Sequence, residues 1–112
     1  KEENVLIEAD PNKIRFLPMS WSSDGKFIVF EHEDVSAEPD KSSYHIYSLE
    51  ERKVVTEIIK EKAAPRISSF EWSYDGSYLY FWTESNMGTI KGGFRLKVPD
   101  EIAEKISKRI GE

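Results

Sequence analysis

A twelve-residue pattern that occurs twice constrains this chain more than any other feature. Met19-Ser20-Trp21-Ser22-Ser23-Asp24-Gly25-Lys26-Phe27-Ile28-Val29-Phe30 aligns without a gap with Phe70-Glu71-Trp72-Ser73-Tyr74-Asp75-Gly76-Ser77-Tyr78-Leu79-Tyr80-Phe81, 51 positions later. Trp, Ser, Asp, Gly and the final Phe are identical, and Ile28 against Leu79 and Phe27 against Tyr78 are conservative matches. The unit reads as a β-hairpin: a short strand ends at Trp, a polar Ser-x-Asp-Gly turn follows, and a longer apolar strand returns. Ser22, Asp24, Ser73 and Asp75 are placed to bond nearby backbone amides. Gly25 and Gly76 supply a left-handed conformation at little steric cost. Trp21 and Trp72 are expected to be buried in equivalent places.

The remaining elements fall around these hairpins. Residues 26–31 and 77–83 are apolar on both faces, as suits strands covered on two sides. Residues 45–49 and 94–98 read as third strands. Residues 53–59, reached through the charged turn Glu50-Glu51-Arg52, read as a fourth strand, and residues 4–8 hold a similar place before the first hairpin. Repeat 1 then spans about 3–49 and repeat 2 about 53–98. Residues 99–110 read as a helix, with Pro99 in the first turn, acids early, bases late and Gly111 to stop it. Ile102, Ile106 and Ile110 form its apolar stripe. The expected fold is all-β: two four-stranded antiparallel sheets with one C-terminal α-helix, in a single domain over 1–112.

Trp21-Ser22-Ser23-Asp24-Gly25-Lys26-Phe27-Ile28-Val29-Phe30 resembles the W-S-P-D-G-K-x-I-A-F repeat of TolB-like β-propellers. The same unit recurs in the propellers of prolyl-oligopeptidase-type serine peptidases. The resemblance covers residues 3–98 in two copies, with Ser23 and Tyr74 in place of the usual Pro. It implies that each repeat is a propeller blade, and it brings no catalytic residue with it. A closed propeller takes about four to eight blades, and this chain supplies two. Since repeat units cannot bury their faces alone, three arrangements are open: packing of the two sheets under the helix, self-association into a homo-oligomer, or membership of a longer chain. The first two are favoured. The chain opens at Lys1 without an initiator Met, which fits either a removed targeting segment or a piece of a longer protein; an exported or cell-surface location is favoured over the cytoplasm.

Composition removes several function classes. With no Cys there is no disulfide scaffold, Cys-based metal site or thiol nucleophile. Sixteen basic against 21 acidic residues, a net charge of -5, argue against a nucleic-acid binder that neutralises phosphates. No apolar run approaches the roughly 18 residues of a membrane-spanning helix. The absence of Gln, with Glu and Lys abundant, is a thermophile-like bias.

The acidic stretch 31–40 is the sharpest site candidate, read as a loop between the second and third strands. Glu31, His32, Glu33, Asp34 and Asp40 are candidate ligands for calcium, zinc or manganese. The regular spacing of a calcium loop is absent, and a solvated loop is the ordinary reading. His32 near a Ser would suggest a base–nucleophile pair, but there is no G-x-S-x-G elbow, and Ser22 and Ser73 are explained by their turns. Gly92-Gly93 introduces a strand, so it is not a phosphate loop. Tyr78, Tyr80 and Trp82 share one face of a strand, opposite Leu79 and Phe81. If nothing covers that row it is an interface candidate; cover by the helix or the first repeat is the preferred expectation. The functional expectation is a non-catalytic binding or protein-interaction module without cofactors. The alternatives are an accessory propeller piece of a serine peptidase and a metal- or sugar-binding surface domain using 31–40.

Overall fold

The computed structural model describes residues 13–36, 41–62, 66–84 and 90–111. Seven strands and one helix follow in order: β1 (Ile14–Trp21), β2 (Phe27–Asp34), β3 (Lys41–Ser48), β4 (Lys53–Lys62), β5 (Arg66–Trp72), β6 (Tyr78–Glu84), β7 (Ile90–Lys97) and α1 (Asp100–Ile110). They form a four-stranded sheet in the order β1-β2-β3-β4 and a three-stranded sheet in the order β5-β6-β7, with every neighbouring pair antiparallel.

The expected four-plus-four division is therefore corrected to four plus three. Residues 53–62 pair with β3 rather than opening the second unit. The short turn before them imposes this, since a tight connection between Ser48 and Lys53 leaves the returning strand no other neighbour. Arg52 takes a φ of 57° to close that turn, and the Glu51 amide donates to Ser48 Oγ at 3.1 Å. On the other side, β7 runs through Val98 and Pro99 straight into α1, so no fourth strand follows it. The expected strand at 4–8 lies outside the described residues.

One core joins both sheets and the helix. Phe27, Val29, Tyr44 and Ile46 from the first sheet meet Ile67, Phe70, Trp72 and Leu79 from the second. Val98, Ile102 and Ile106 complete the cluster, with Val55, Ile58 and Ile59 of β4 packed against it. Thus α1 covers the part of the first sheet that a three-stranded partner leaves open. Its stripe behaves as the spacing predicts at Ile102 and Ile106, which are buried, while Ile110 is half-buried. An aromatic chain crosses between the sheets, Tyr44–Phe70–Phe81–Phe94, with ring centroids 5.4, 5.4 and 5.3 Å apart. The Ile67 amide donates to Tyr44 Oη at 3.2 Å, and Trp72 Nε1 donates to the Ser20 carbonyl at 3.1 Å.

The sheets stack in the same sense. The face of the first sheet that enters the shared core carries Phe27 and Val29; we call it the front. The face of the second sheet that meets it carries Leu79 and Phe81, which occupy the repeat positions of Ile28 and Phe30 and so form the back. Front therefore packs on back, leaving the back of the first sheet and the front of the second as the two outer faces.

Candidate functional site

The two turns repeat each other bond for bond. Ser22 N donates to the Phe27 carbonyl at 2.9 Å and Gly25 N to the Ser22 carbonyl at 2.9 Å; the counterparts Ser73 to Tyr78 and Gly76 to Ser73 measure 2.8 and 3.0 Å. Phe27 N and Tyr78 N each donate to the turn serine's Oγ, at 3.1 and 3.0 Å. Asp24 Oδ1 accepts Lys26 N at 3.1 Å, and Asp75 Oδ1 accepts Ser77 N at 3.0 Å. Gly25 and Gly76 have φ of 71° and 80°, the left-handed region that their sequence position predicts. The turns also touch: Ser23 Oγ donates to the Tyr74 carbonyl at 2.5 Å.

Their surroundings differ. The Asp24 side chain is only 2% exposed and meets Arg109 of α1 at 3.0 Å, while Arg109 also reaches Glu50 at 2.6 Å. Burial alone would raise the Asp24 pKa, but the Ser22 hydroxyl, the Lys26 amide and the Arg109 guanidinium outweigh it and hold the carboxyl below its ordinary value. Asp75 lies in solvent and is held low by the Ser77 hydroxyl and amide and by the Ser73 hydroxyl. The expectation that both tryptophans are buried holds for Trp72, 8% exposed, and fails for Trp21, 54% exposed. Trp72 points from the back of the second sheet into the core; Trp21 lies on the outer back of the first sheet, where among the described residues no further sheet stands.

The acidic stretch is not the expected loop over 31–34. Those residues continue β2, paired on one side with residues 14–17 of β1 and on the other with residues 41–44 of β3. Cross-strand partners make the polar residues acceptable in a strand: Ser42 Oγ donates to Glu31 at 2.5 Å, and Arg15 lies 4.0 Å from Glu33. Alternation sends Glu31 and Glu33 to the front and His32 and Asp34 to the back, so the candidate ligands diverge. Among the described residues no group of three His, Asp or Glu is placed to hold a metal ion. Asp40 lies outside the described residues. Glu31 instead lines a cleft of about 340 Å³ between β1 and β5, with Leu17, Pro18, Met19, Ile67, Ser68 and Ser69.

His32 and His45 share the back of the first sheet, with ring centroids 5.9 Å apart; Phe16 lies against His32, and Phe30 stacks on His45. The serine next to a histidine is Ser43, whose Oγ lies 2.8 Å from His45 Nε2. Glu57 lies 3.9 Å from the same nitrogen. An acid that orients a catalytic base must meet the other ring nitrogen, so these three groups do not form a nucleophile relay. Burial lowers the His45 pKa, with Glu57 opposing.

Among the described residues no sheet or helix packs on the front of the second sheet. Glu71, Tyr80 and Arg95 form one row across β5, β6 and β7; Ser69, Trp82 and Gly93 form the next. Tyr80 is 39% exposed and flanked by exposed Glu71 and Arg95. Neither α1 nor the first sheet covers this row, against the preferred expectation. Two contacts lie within this face. The Arg95 guanidinium stacks over the Tyr78 ring at 4.4 Å, and the Trp82 indole lies over Gly93, about 3.6 Å from where a Cβ would stand. Sequence reasoning found Tyr78, Tyr80 and Trp82 but missed Glu71 and Arg95. Their signal is positional, since Arg95 stands where the first unit has Ile46.

No helix among the described residues is long and apolar enough to cross a membrane. Compared with protein-family models, curated proteins and solved structures, the chain matches none of them.

Proposed function

We propose that this chain is a non-catalytic interaction module made of two TolB-like propeller blades, which presents the front of its second sheet to a protein. Same-sense stacking, with repeat-equivalent turns in contact, supports the blade reading, because consecutive blades of a propeller are related in that way. One observation carries the functional reading. The positions that hold Phe27, Val29 and Ile46 in the covered front of the first sheet hold Tyr78, Tyr80 and Arg95 in the open front of the second. A face built to be covered permanently would keep the wholly apolar set. Tyr, Trp and Arg are the residues enriched where proteins meet reversibly, because each joins a large contact area to a polar tip.

The test compares wild type with Tyr80→Asp and with Trp21→Ser, which alters an exposed aromatic group on another face. A protein retained by immobilised wild type is purified and its Kd measured against all three. Weakening of about tenfold or more by Tyr80→Asp alone is expected, as for loss of an interface aromatic. Equal Kd values for all three overturn the reading.

A further inference from the structure

We infer that the partner of this face is a second copy of the same chain, bound front to front about a two-fold axis running along β6. The inference rests on the reading of the face as an interface and names what occupies it. The row Glu71–Tyr80–Arg95 is antisymmetric in charge about its centre, with acid on β5, a neutral aromatic on β6 and base on β7. A half-turn about an axis parallel to β6 lays β5 over the partner's β7 and leaves residue heights unchanged. Glu71 of one copy then meets Arg95 of the other, and the reverse contact forms at the same time. Tyr80 meets its own counterpart at the centre. In the next row Trp82 does the same over the flat place provided by Gly93. A two-fold interface requires such self-complementarity, and two sheets packed about 10 Å apart leave room for these side chains to span the gap.

The head-to-tail alternative, which would build a ring, needs the back of the first sheet as its receiving surface. Trp21 is exposed there, but Ile28, Phe30 and Tyr47 beside it are already buried, with Phe16 and Leu49 packed against them. Among the described residues Glu71 forms no ion pair, and it is exposed, so it is available to an incoming base. Three strands of seven or so residues give a face of roughly 23 by 14 Å. Over two copies this is about 640 Å², below the roughly 1,200 Å² of stable interfaces, so the association is weak, transient and concentration-dependent.

Sedimentation or light scattering from about 10 to about 500 μM reads the mass. Wild type should move from 13.0 kDa towards twice that value. Glu71→Arg and Arg95→Glu should each weaken self-association by about tenfold or more, since each sets like charges opposite one another. An equimolar mixture of the two variants should associate again, because one copy then carries two bases and the other two acids. Glu104→Lys, an equal change in charge on an exposed position of α1, should leave the mass curve unchanged. Should either reversal disturb folding, Glu71→Lys with Arg95→Asp tests the same pairing. Wild type that stays monomeric throughout overturns the dimer, as does a mixture no more associated than its components. Either result is distinguishable from failure of the interaction reading, which the Tyr80→Asp binding comparison decides separately.

Discussion

The two Asp-Gly turns contain the same hydrogen bonds and opposite surroundings. The first is locked: its aspartate is clamped by Arg109, yet its tryptophan stands in solvent. The second leaves its aspartate in water but presses both its tryptophan and its glycine into the core. An ideal Cβ on Gly76 would lie 2.6 Å from Ile106 Cδ1, whereas one on Gly25 would meet nothing within 4 Å. A repeated sequence thus specifies a repeated turn, but not what each turn contributes to stability. The contribution depends on which face of each sheet has a neighbour.

Substitutions that treat the two units alike should therefore give unequal results. The largest gap is expected at the tryptophans. Trp72→Ala should cost about 3–5 kcal/mol, as for a large aromatic removed from a core, while Trp21→Ala should cost well under about 1 kcal/mol, as at ordinary surface positions. Urea unfolding of both variants reads the difference, and equal costs would break the front-on-back stacking.

The glycines come next. Gly25→Ala pays only for the left-handed backbone, about 1–2 kcal/mol. Gly76→Ala adds a collision with a fully buried isoleucine, which raises the total to about 2–5 kcal/mol. Ile106→Val in the Gly76→Ala background should recover part of the loss in thermal unfolding and do nothing for Gly25→Ala.

Arg109→Ala should destabilise by about 1–2 kcal/mol near neutral pH, because it removes a charged partner from a nearly enclosed carboxylate. Asp24 has its folded pKa below the ordinary 3.8. The stability it contributes is complete above that value and is lost as pH falls through the folded pKa. The gap between wild type and Arg109→Ala should therefore close in acid, as denaturant midpoints measured across pH would record. The smallest effect concerns His45, whose folded pKa lies below 6.5. Unfolding frees it to bind a proton in that window, so stability declines as pH drops below 6.5, and His45→Gln should flatten this part of the profile.

The turns were legible in the sequence because everything that defines them lies within six residues: a serine, an aspartate two positions on, and a glycine. Burial of the tryptophans was not legible, because no local pattern says which outer face lacks a neighbour. The stretch Glu31–Asp34 looked like a loop because polarity is a poor guide where cross-strand residues such as Ser42 and Arg15 supply partners from elsewhere in the chain. The aromatic row on β6 was legible from alternation alone. Its charged flanks became visible only when the register set Glu71 and Arg95 on either side of Tyr80.

The bond between Arg109 and Asp24 joins residues 85 positions apart. Each hairpin closes a loop of a few residues and so can form early, but this clamp requires nearly the whole chain to be gathered first. If the hairpins nucleate the structure, the clamp forms after them and is absent from the transition state. Its strength then sets how slowly the native protein opens rather than how quickly it forms. On that account the last turn of the helix acts as a latch on the first turn of the sheets. Removing Arg109 should steepen the loss of the native state in time, with refolding kinetics left as they were.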